Sequence, residues 1–215
     1  MIALGWTLPD APVPDGIAMI KLPDCTVVAS ADAATASPDA RLRLQVACAQ
    51  GLPAFLPLGP RDRVPVERAI DLTHHHGAAI AGRLAELRGL AQLSLRADWP
   101  VGPTFNTTSA GSGSGRTWLA ARAASRAAEA ARSEEIAAAL KRIATAAATG
   151  SALERNGPGA VQLAILCRRD GVTRTFDEIE RRLGRGRWPD GTRFALAGPW
   201  PALAFTGGFD GRAPA

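Results

Sequence analysis

The sequence predicts an α+β protein made of two small sheet-plus-helix domains. Short strand patterns and a few helical patterns mix in both halves of the chain, with few strand–helix–strand crossover units. The 215 residues are 47% hydrophobic, which is enough to bury the core of one large or two small domains. A stretch rich in Pro, Gly, Ser and Thr over residues 100–115 is typical of a linker. We therefore expect an N-terminal domain over residues 1–99 and a C-terminal domain over residues 116–215.

Turn residues divide the first half into short strands and a helix. Leu22-Pro23-Asp24 lies between two apolar stretches and predicts a hairpin. Ser37 and Pro38 are typical of the N-cap and first residue of a helix, which Gly51 ends. We expect the core face of this helix to carry Leu42, Val46 and Ala49. The predicted strands are residues 2–7, 17–21, 26–30, 54–58 and 90–97.

A second helix begins near Pro65 and ends at Gly89. Core-forming residues recur along it at intervals of three and four, over about six turns. This predicted stripe consists of Val66, Ile70, Thr73, Gly77, Ile80, Leu84 and Leu87.

The second half opens with a long alanine-rich helix from Arg116 to about Thr149. Its C-terminal half has a clear apolar stripe, whereas its first half is weakly hydrophobic and we expect it to pack through small residues or to stay partly exposed. A strand over 161–167, a short helix and a last strand over 193–197 follow, and then comes GPWPALAF. We expect the prolines of GPWP to end the last strand, because proline has no N–H to donate. The helical stripes are Ile136, Leu140, Ile143 and Ala147 in the long helix, and Phe176, Ile179 and Leu183 in the short one.

Composition argues against several classes of protein. No apolar run approaches the roughly 20 residues that span a bilayer, and the N-terminus lacks the basic start of a signal peptide, so we expect a cytoplasmic protein. The net charge of +5 comes almost entirely from arginine. Enrichment in Ala and Arg can follow from a G+C-rich genome, so the charge alone does not indicate nucleic-acid binding. Cys25, Cys48 and Cys167 are isolated and indicate reduced thiols rather than disulfides or zinc ligands.

Three local patterns resemble functional sites but lack the required chemistry. The consecutive His74, His75 and His76 would point about 100° apart on a helix and could not share a metal ion. The Gly/Ser run over 111–115 lacks the lysine of a phosphate-binding loop. The carboxylates over 177–180 have arginines three or four residues away, as on a surface helix with ion pairs. We therefore expect no catalytic residues, metal or cofactor, and a protein that is not an enzyme.

The Arg-rich stretch over 181–188 is the best candidate for binding nucleic acid, because it combines arginines, glycines and one aromatic residue. No recognised nucleic-acid-binding module surrounds it, and the dipole at the C-terminal end of a helix also favours cations. A nucleic-acid-binding module is the alternative hypothesis. A small-molecule enzyme is a third, for which the sequence shows no convergent set of polar residues.

Three segments together resemble the gas vesicle protein F/L (GvpF/GvpL) family. GPWPALAF is similar to the family's GPWPPYSF-like C-terminal signature, with Ala-Leu-Ala in place of Pro-Tyr-Ser. The chain also resembles the family's GR-x-aromatic-L opening of a long helix, and LPLGPRD matches the family's LPLRFGT over its first three residues. The matching residues are Gly198, Pro199, Trp200, Pro201 and Phe205 in the first segment, Gly115, Arg116, Trp118 and Leu119 in the second, and Leu56, Pro57 and Leu58 in the third.

The resemblance implies a divergent member of the family with two α+β domains, the N-terminal one ferredoxin-like. It implies an accessory or minor structural protein of gas vesicle assembly that is located in the cytoplasm at the gas vesicle. The implied partners are the major gas vesicle shell protein and other gas vesicle accessory proteins, with no nucleic acid or membrane and no catalysis. The rigid GPWP segment holds Trp200, which either caps the core of the second domain or forms an exposed anchor for a partner.

Overall fold

The computed structural model describes residues 1–101 and 115–206, and the side chains of these residues except at 152–154. Within these residues the chain forms two four-stranded sheets and four α-helices, so the predicted α+β class is confirmed. None of these helices is both long and apolar enough to cross a membrane. The predicted linker falls mostly on residues 102–114, and it therefore lies largely outside the described residues, as does most of the Gly/Ser run.

The first sheet is antiparallel and has the strand order β2-β3-β1-β4. The hairpin predicted around Leu22-Pro23-Asp24 joins β2 to β3. In β1, Gly5 lies opposite Pro57, and a Cβ at Gly5 would lie less than 3.0 Å from the carbonyl oxygen of Leu56. Only glycine fits there without moving the backbone. The strands are β1 Ile2–Thr7, β2 Ala18–Lys21, β3 Thr26–Ser30 and β4 Phe55–Pro57.

Helix α1, Pro38–Gly51, begins as the sequence predicts. The side chain of Ser37 accepts a hydrogen bond from the Ala40 N–H at 3.2 Å, which satisfies one of the free donors of the first turn. The proline at the first helical position needs no such partner.

The buried face of α1 is offset by one residue from the predicted one. Leu42, Val46 and Ala49 are only half-buried, which makes that prediction wrong. The buried residues are instead Arg41, Gln45 and Cys48.

Polar donors occupy this buried face because carbonyl groups lie opposite it. The Gln45 amide donates to the carbonyl oxygens of Leu4 at 3.0 Å and Leu58 at 2.6 Å. Arg41 donates to the carbonyl oxygens of Pro60 at 2.8 Å and Ala36 at 2.7 Å. Buried carbonyl groups need such partners, so the helix turns these two long polar side chains inward.

Helix α2, Val66–Leu87, carries most of the predicted core stripe. Ile70 is half-buried rather than buried, and Ala69 and Leu72 are buried in addition to the predicted residues. The stripe joins the helix to β1 through a buried hydrogen bond, in which Trp6 Nε1 donates to Thr73 Oγ1 at 2.9 Å. The helix is kinked at His76, whose φ of −131° is not helical.

The ferredoxin-like detail predicted for the N-terminal part is not confirmed. That motif follows the order βαββαβ, but residues 8–17 connect β1 to β2 without a helix. Both helices come later, α1 between β3 and β4 and α2 after β4. The element order here is therefore βββαβα.

The second sheet has the strand order β6-β7-β5-β8. Its elements follow one another as βαββαβ, the order of the ferredoxin-like motif. The strands are β5 Leu90–Asp98, β6 Gly150–Gly157, β7 Ala160–Arg168 and β8 Arg193–Trp200, and the helices are α3 Gly115–Ala147 and α4 Val172–Arg185.

Two strands of this sheet differ from the sequence-based expectation. β6 was not predicted at all, and it forms a hairpin with β7 across Pro158-Gly159, where Gly159 has φ +73°. β8 runs through Pro199 to Trp200, so the prediction that Pro199 ends the strand is wrong. β8 lies at the edge of the sheet, where the missing N–H of a proline is tolerated.

The helical stripes of the second half are close to the predicted ones. Ile143 and Ala147 of α3 and Phe176 of α4 are half-buried rather than buried. The buried residues are Ser133, Ile136, Ala137, Leu140 and Ala144 in α3 and Thr175, Ile179 and Leu183 in α4. The N-terminal half of α3 contributes no buried residue.

The chain groups into two compact units, each discontinuous in sequence. Unit 1 is Met1–Gln92, Leu166–Val172 and Gly198–Ala215, of which the described part ends at residue 206. Unit 2 is Leu93–Ile165 and Thr173–Ala197. GPWPALAF therefore belongs to unit 1, and nearly all of α3 and α4 belongs to unit 2.

Candidate functional site

The GPWPALAF segment forms the end of β8 and a short 3₁₀ turn, Leu203–Phe205. Gly198 has φ +136°, a conformation that favours glycine. Pro201 and Ala202 are buried, and Ala202 belongs to the hydrophobic core of unit 1. The segment therefore completes that core with its own residues.

Two hydrogen bonds hold the 3₁₀ turn in unit 1. Arg83 Nε of α2 donates to the carbonyl oxygen of Phe205 at 2.7 Å. Gln92 Oε1 of β5 accepts from the Ala204 N–H at 2.9 Å. The ring of Phe205 packs against the core cluster of unit 1. These contacts fix the position of the segment that carries the GPWP motif.

Trp200 is half-buried and lines a small cavity of about 100 Å³ in unit 1. Arg169 also lines this cavity and donates to the carbonyl oxygen of Leu52 at 2.8 Å. Burial lowers the pKa of the Arg169 guanidinium. Trp200 therefore belongs to unit 1 and not to the second domain whose core it was expected to cap, and its indole is neither sealed in the core nor free in solvent.

The second family segment opens α3 in unit 2. Trp118 is 41% exposed and Leu119 is 60% exposed. The guanidinium of Arg122 lies 5.2 Å from the centre of the Trp118 ring, a cation–π arrangement one turn along the helix. Gly115 and Arg116 form the first residues of the helix. Among the described residues, Trp118 and Leu119 are the adjacent pair of large exposed apolar side chains.

A groove of about 970 Å³ lies in unit 2 along the C-terminal half of α3. The other wall is the last turn of α4 and the residues that follow it. We call it the arginine groove, and its lining residues are Ala128, Ala131, Arg132, Glu135, Ile136, Ala139, Arg142, Ile143, Arg181, Arg182, Arg185, Gly186, Arg187, Trp188 and Pro189.

Arginine dominates the charge of this groove, with six arginines and one carboxylate in its lining. Arg181 and Arg182 both form ion pairs with Glu178, and Arg132 lies 3.7 Å from Glu129. Arg142, Arg185 and Arg187 form no ion pair with any residue in the described part of the chain. The groove therefore keeps an excess of positive charge.

The single aromatic side chain of the groove is held in place by its neighbours. Trp188 Nε1 donates to the carbonyl oxygen of Leu183 at 2.8 Å. The Trp188 ring also packs edge-on against Phe194, with 4.9 Å between ring centres. Sequence reasoning identified the stretch 181–188 but missed α3 as the opposite wall. The available signal was the spacing of Ala128, Arg132, Glu135, Ala139 and Arg142, which places them on one helix face.

The histidines and cysteines form no chemical centre in the residues that the structure describes. His75 Nδ1 lies 2.7 Å from the Asp71 carbonyl oxygen, and no group of three His, Cys, Asp or Glu side chains could hold a metal ion there. Burial raises the pKa of the Cys25 thiol to about 11, against the lowering effect of a hydrogen bond with Thr73. Burial also raises the pKa of Cys48 to about 11. Both thiols are therefore protonated at neutral pH, and a thiol is a much weaker nucleophile than a thiolate.

Comparison with known proteins identifies the family. A family model described as gas vesicle synthesis protein GvpL/GvpF matches residues 65–207. The fold is similar to the crystal structures of the gas vesicle protein GvpF from Microcystis aeruginosa and from Anabaena sp. PCC7120. For both, the TM-score is 0.68 at 12% identity over 96% of this chain, with 99% and 98% of the other chain covered. A search of curated proteins found no match. Because the family model spans most of the sequence, the chain belongs to the gas vesicle synthesis protein GvpL/GvpF family.

Proposed function

We propose that the protein is a non-catalytic accessory or minor structural protein of gas vesicle assembly. It binds the major gas vesicle shell protein or other gas vesicle accessory proteins, in the cytoplasm at the gas vesicle. Membership of the GvpL/GvpF family supports this role. The observation that carries a binding role is the exposed pair Trp118 and Leu119 at the start of α3.

The N-terminal half of α3 has the properties of a partner-binding surface. Leu119, Ala123 and Ala127 follow one another at intervals of four and share one face of the helix. All three side chains are exposed. Small side chains allow the backbone of a partner to approach closely, and Trp118 offers an apolar ring of the kind that dominates binding energy at interfaces.

In this proposal, the residues around Trp200 in the GPWPALAF segment hold that tryptophan in place at the surface of unit 1. Pro201, Ala202 and Phe205 stabilise the core of unit 1. Trp200 is left at the surface of that core, where it can contact a partner with its exposed part. We therefore assign partner binding to Trp118, Leu119 and Trp200. The residues that we assign to structural support are Gly198, Pro199, Pro201 and Phe205. Gly115 and Arg116 begin helix α3.

Co-purification with the major shell protein and with each co-encoded accessory protein tests the proposal. The wild-type chain is compared with Ala123→Trp/Ala127→Trp, which makes the proposed helix face bulky. Ser125→Trp is the matched control, because Ser125 is exposed on the opposite side of α3. Circular dichroism checks the fold of each variant. We expect the double variant to lose binding and the control to retain it.

Two results would count against the proposal. Failure of the wild-type chain to bind any of these proteins refutes the assembly role. Binding that survives in Ala123→Trp/Ala127→Trp refutes the assignment to the α3 face.

Trp200→Ala distinguishes a packing role of Trp200 from a role in partner binding, because a folded variant that no longer binds identifies the indole as part of the interface.

A further inference from the structure

The lining of the arginine groove carries an excess of positive charge. Its lining has six arginines against Glu135 as the one carboxylate, and Arg142, Arg185 and Arg187 have no ion-pair partner in the described residues. Like charges held together along a concave surface repel one another and attract a ligand of opposite sign. The positive charge of these three arginines is therefore available to attract an anionic ligand.

The α3 wall of the groove also carries apolar side chains. They are Ala128, Ala131, Ile136, Ala139 and Ile143, and Arg132, Glu135 and Arg142 lie among them on the same helix. These residues span about four helical turns, or about 22 Å at 1.5 Å per residue. An amphipathic helix laid along such a groove can bury its apolar face against these side chains, while its acidic residues pair with the arginines of the lining.

Nucleic acid fits the groove less well than a protein helix does. Single-stranded nucleic acid binds through aromatic rings that stack on successive bases. The groove has one aromatic ring, Trp188, and that ring is committed to an edge-on contact with Phe194 and to a hydrogen bond with the Leu183 carbonyl.

We propose that the arginine groove docks an acidic amphipathic helix of a partner protein. Glutamate and aspartate side chains of that helix pair with Arg142, Arg185 and Arg187, and its apolar side chains contact Ile143 and Ala139. This inference deepens the proposed function and rests on it, since it takes protein binding as the mode of action. It adds a second surface of unit 2 and states the chemistry of its partner.

The test uses a designed peptide of about 18 residues, which is about five helical turns. Leucines stand at positions i, i+3, i+4 and i+7 and glutamates at most other positions. A second peptide has the same composition in scrambled order, and a single-stranded DNA of similar charge is the third probe. Binding to the full chain is measured by fluorescence anisotropy. We expect the amphipathic peptide to bind at least about tenfold more tightly than the scrambled one, because only it presents a continuous apolar face.

Variants separate the groove from general electrostatic attraction. Arg142→Glu/Arg185→Glu reverses two exposed groove arginines and should weaken peptide binding by roughly tenfold or more. Arg68→Glu/Arg126→Glu makes the same charge change at two exposed arginines outside the groove, and should change binding by less than about twofold at physiological salt. Ala139→Trp places a bulky side chain in the groove without changing charge and should abolish binding.

The inference is overturned if the scrambled peptide binds equally well, if the control arginine pair matters as much as the groove pair, or if Ala139→Trp binds the peptide normally. DNA that binds more tightly than the peptide, with affinity unaffected by Ala139→Trp, would assign the arginines to nucleic acid instead. The proposed function fails separately: a wild-type chain that binds the peptide but no gas vesicle protein refutes the assembly role alone. Co-purification with gas vesicle proteins without any peptide binding refutes the groove alone.

Discussion

A buried hydrogen bond between Trp6 and Thr73 links β1 to α2. Trp6 is 0% exposed and Thr73 is 4% exposed. The Thr73 hydroxyl accepts from Trp6 Nε1 at 2.9 Å and donates to the Ala69 carbonyl at 2.9 Å. Thr73→Val keeps the shape of the side chain and removes the acceptor, so the indole N–H is left buried without a partner.

The expected cost follows from burial at both ends of the bond. An unsatisfied buried donor costs about 1–3 kcal/mol, and the extra methyl group of valine offsets up to about 0.8 kcal/mol of this. We expect Thr73→Val to lower the free energy of unfolding by about 1–2 kcal/mol. In a Trp6→Phe background the indole donor is absent, so the same substitution should cost about 1 kcal/mol less, and this difference is the coupling between the two side chains.

Urea unfolding followed by circular dichroism measures these free energies by linear extrapolation. Amide hydrogen exchange in β1 and α2 locates the change in unit 1. Thr73→Ser is the control, because it keeps the hydroxyl and loses only a methyl group. A coupling indistinguishable from zero in the Trp6→Phe/Thr73→Val cycle would refute the reasoning, since it would mean that the indole N–H gains nothing from Thr73.

Three further predictions concern unit 1. Gly5→Ala should destabilise the protein by more than about 2 kcal/mol through a backbone clash. Gly51→Ala, at the open end of α1, is the control and should be neutral or stabilising by up to about 1 kcal/mol. Equal thermal unfolding midpoints of the two variants would contradict this. The free energy of unfolding should fall as the pH rises from about 9 to about 11, because the unfolded chain releases the thiol protons of Cys25 and Cys48 at their ordinary pKa of 9.0 while the folded chain holds them until about 11. Replacing both cysteines by alanine should flatten that slope, and an unchanged slope would exclude the thiols as its cause. Arg83→Met keeps the stem and removes the donor to the 3₁₀ turn, which should cost about 1 kcal/mol in urea unfolding; no shift of the midpoint would show that water replaces the bond.

Elements with strong local signals were predictable from the sequence. The hairpin needed only its turn and two apolar runs, and α1 began where Ser37 and Pro38 placed it. The apolar residues of α2 recur with the helical period of 3.6 over its whole length, so its span and most of its buried face were predictable. The α+β class followed from these elements.

The misses have physical causes that no local pattern contains. The inward face of α1 depends on carbonyl groups that the distant strands place opposite Arg41 and Gln45. β6 has the sequence GSALERNG, which lacks strand alternation, and it forms because β7 pairs with it. The Pro199 prediction failed because proline is tolerated on an edge strand, and edge position is a property of the whole sheet.

The candidate surfaces were predictable to different degrees. Trp118 and Leu119 stood out through the family resemblance, and their exposure agrees with a role outside the core. The arginine groove required the structure, because its walls are some 40 to 60 residues apart in the chain. The charge of the stretch 181–188 alone suggested nucleic acid, whereas the apolar side chains of α3 in the same groove favour a protein helix.

On the ribosome, the core of unit 1 lacks Ala202 and Phe205 until the GPWPALAF segment has been synthesised. Ala202 and Phe205 contribute to a core whose other members come mainly from the first 92 residues. At ~5–20 residues per second, the roughly 110 residues that separate the two parts take about 6–22 s to add. During this interval the nascent chain exposes the apolar surface of unit 1 that Ala202 and Phe205 later cover. A chain that ends before Ala202 would lack both side chains, so we expect its first unit to be less stable and more readily cut by proteases even with α3 intact.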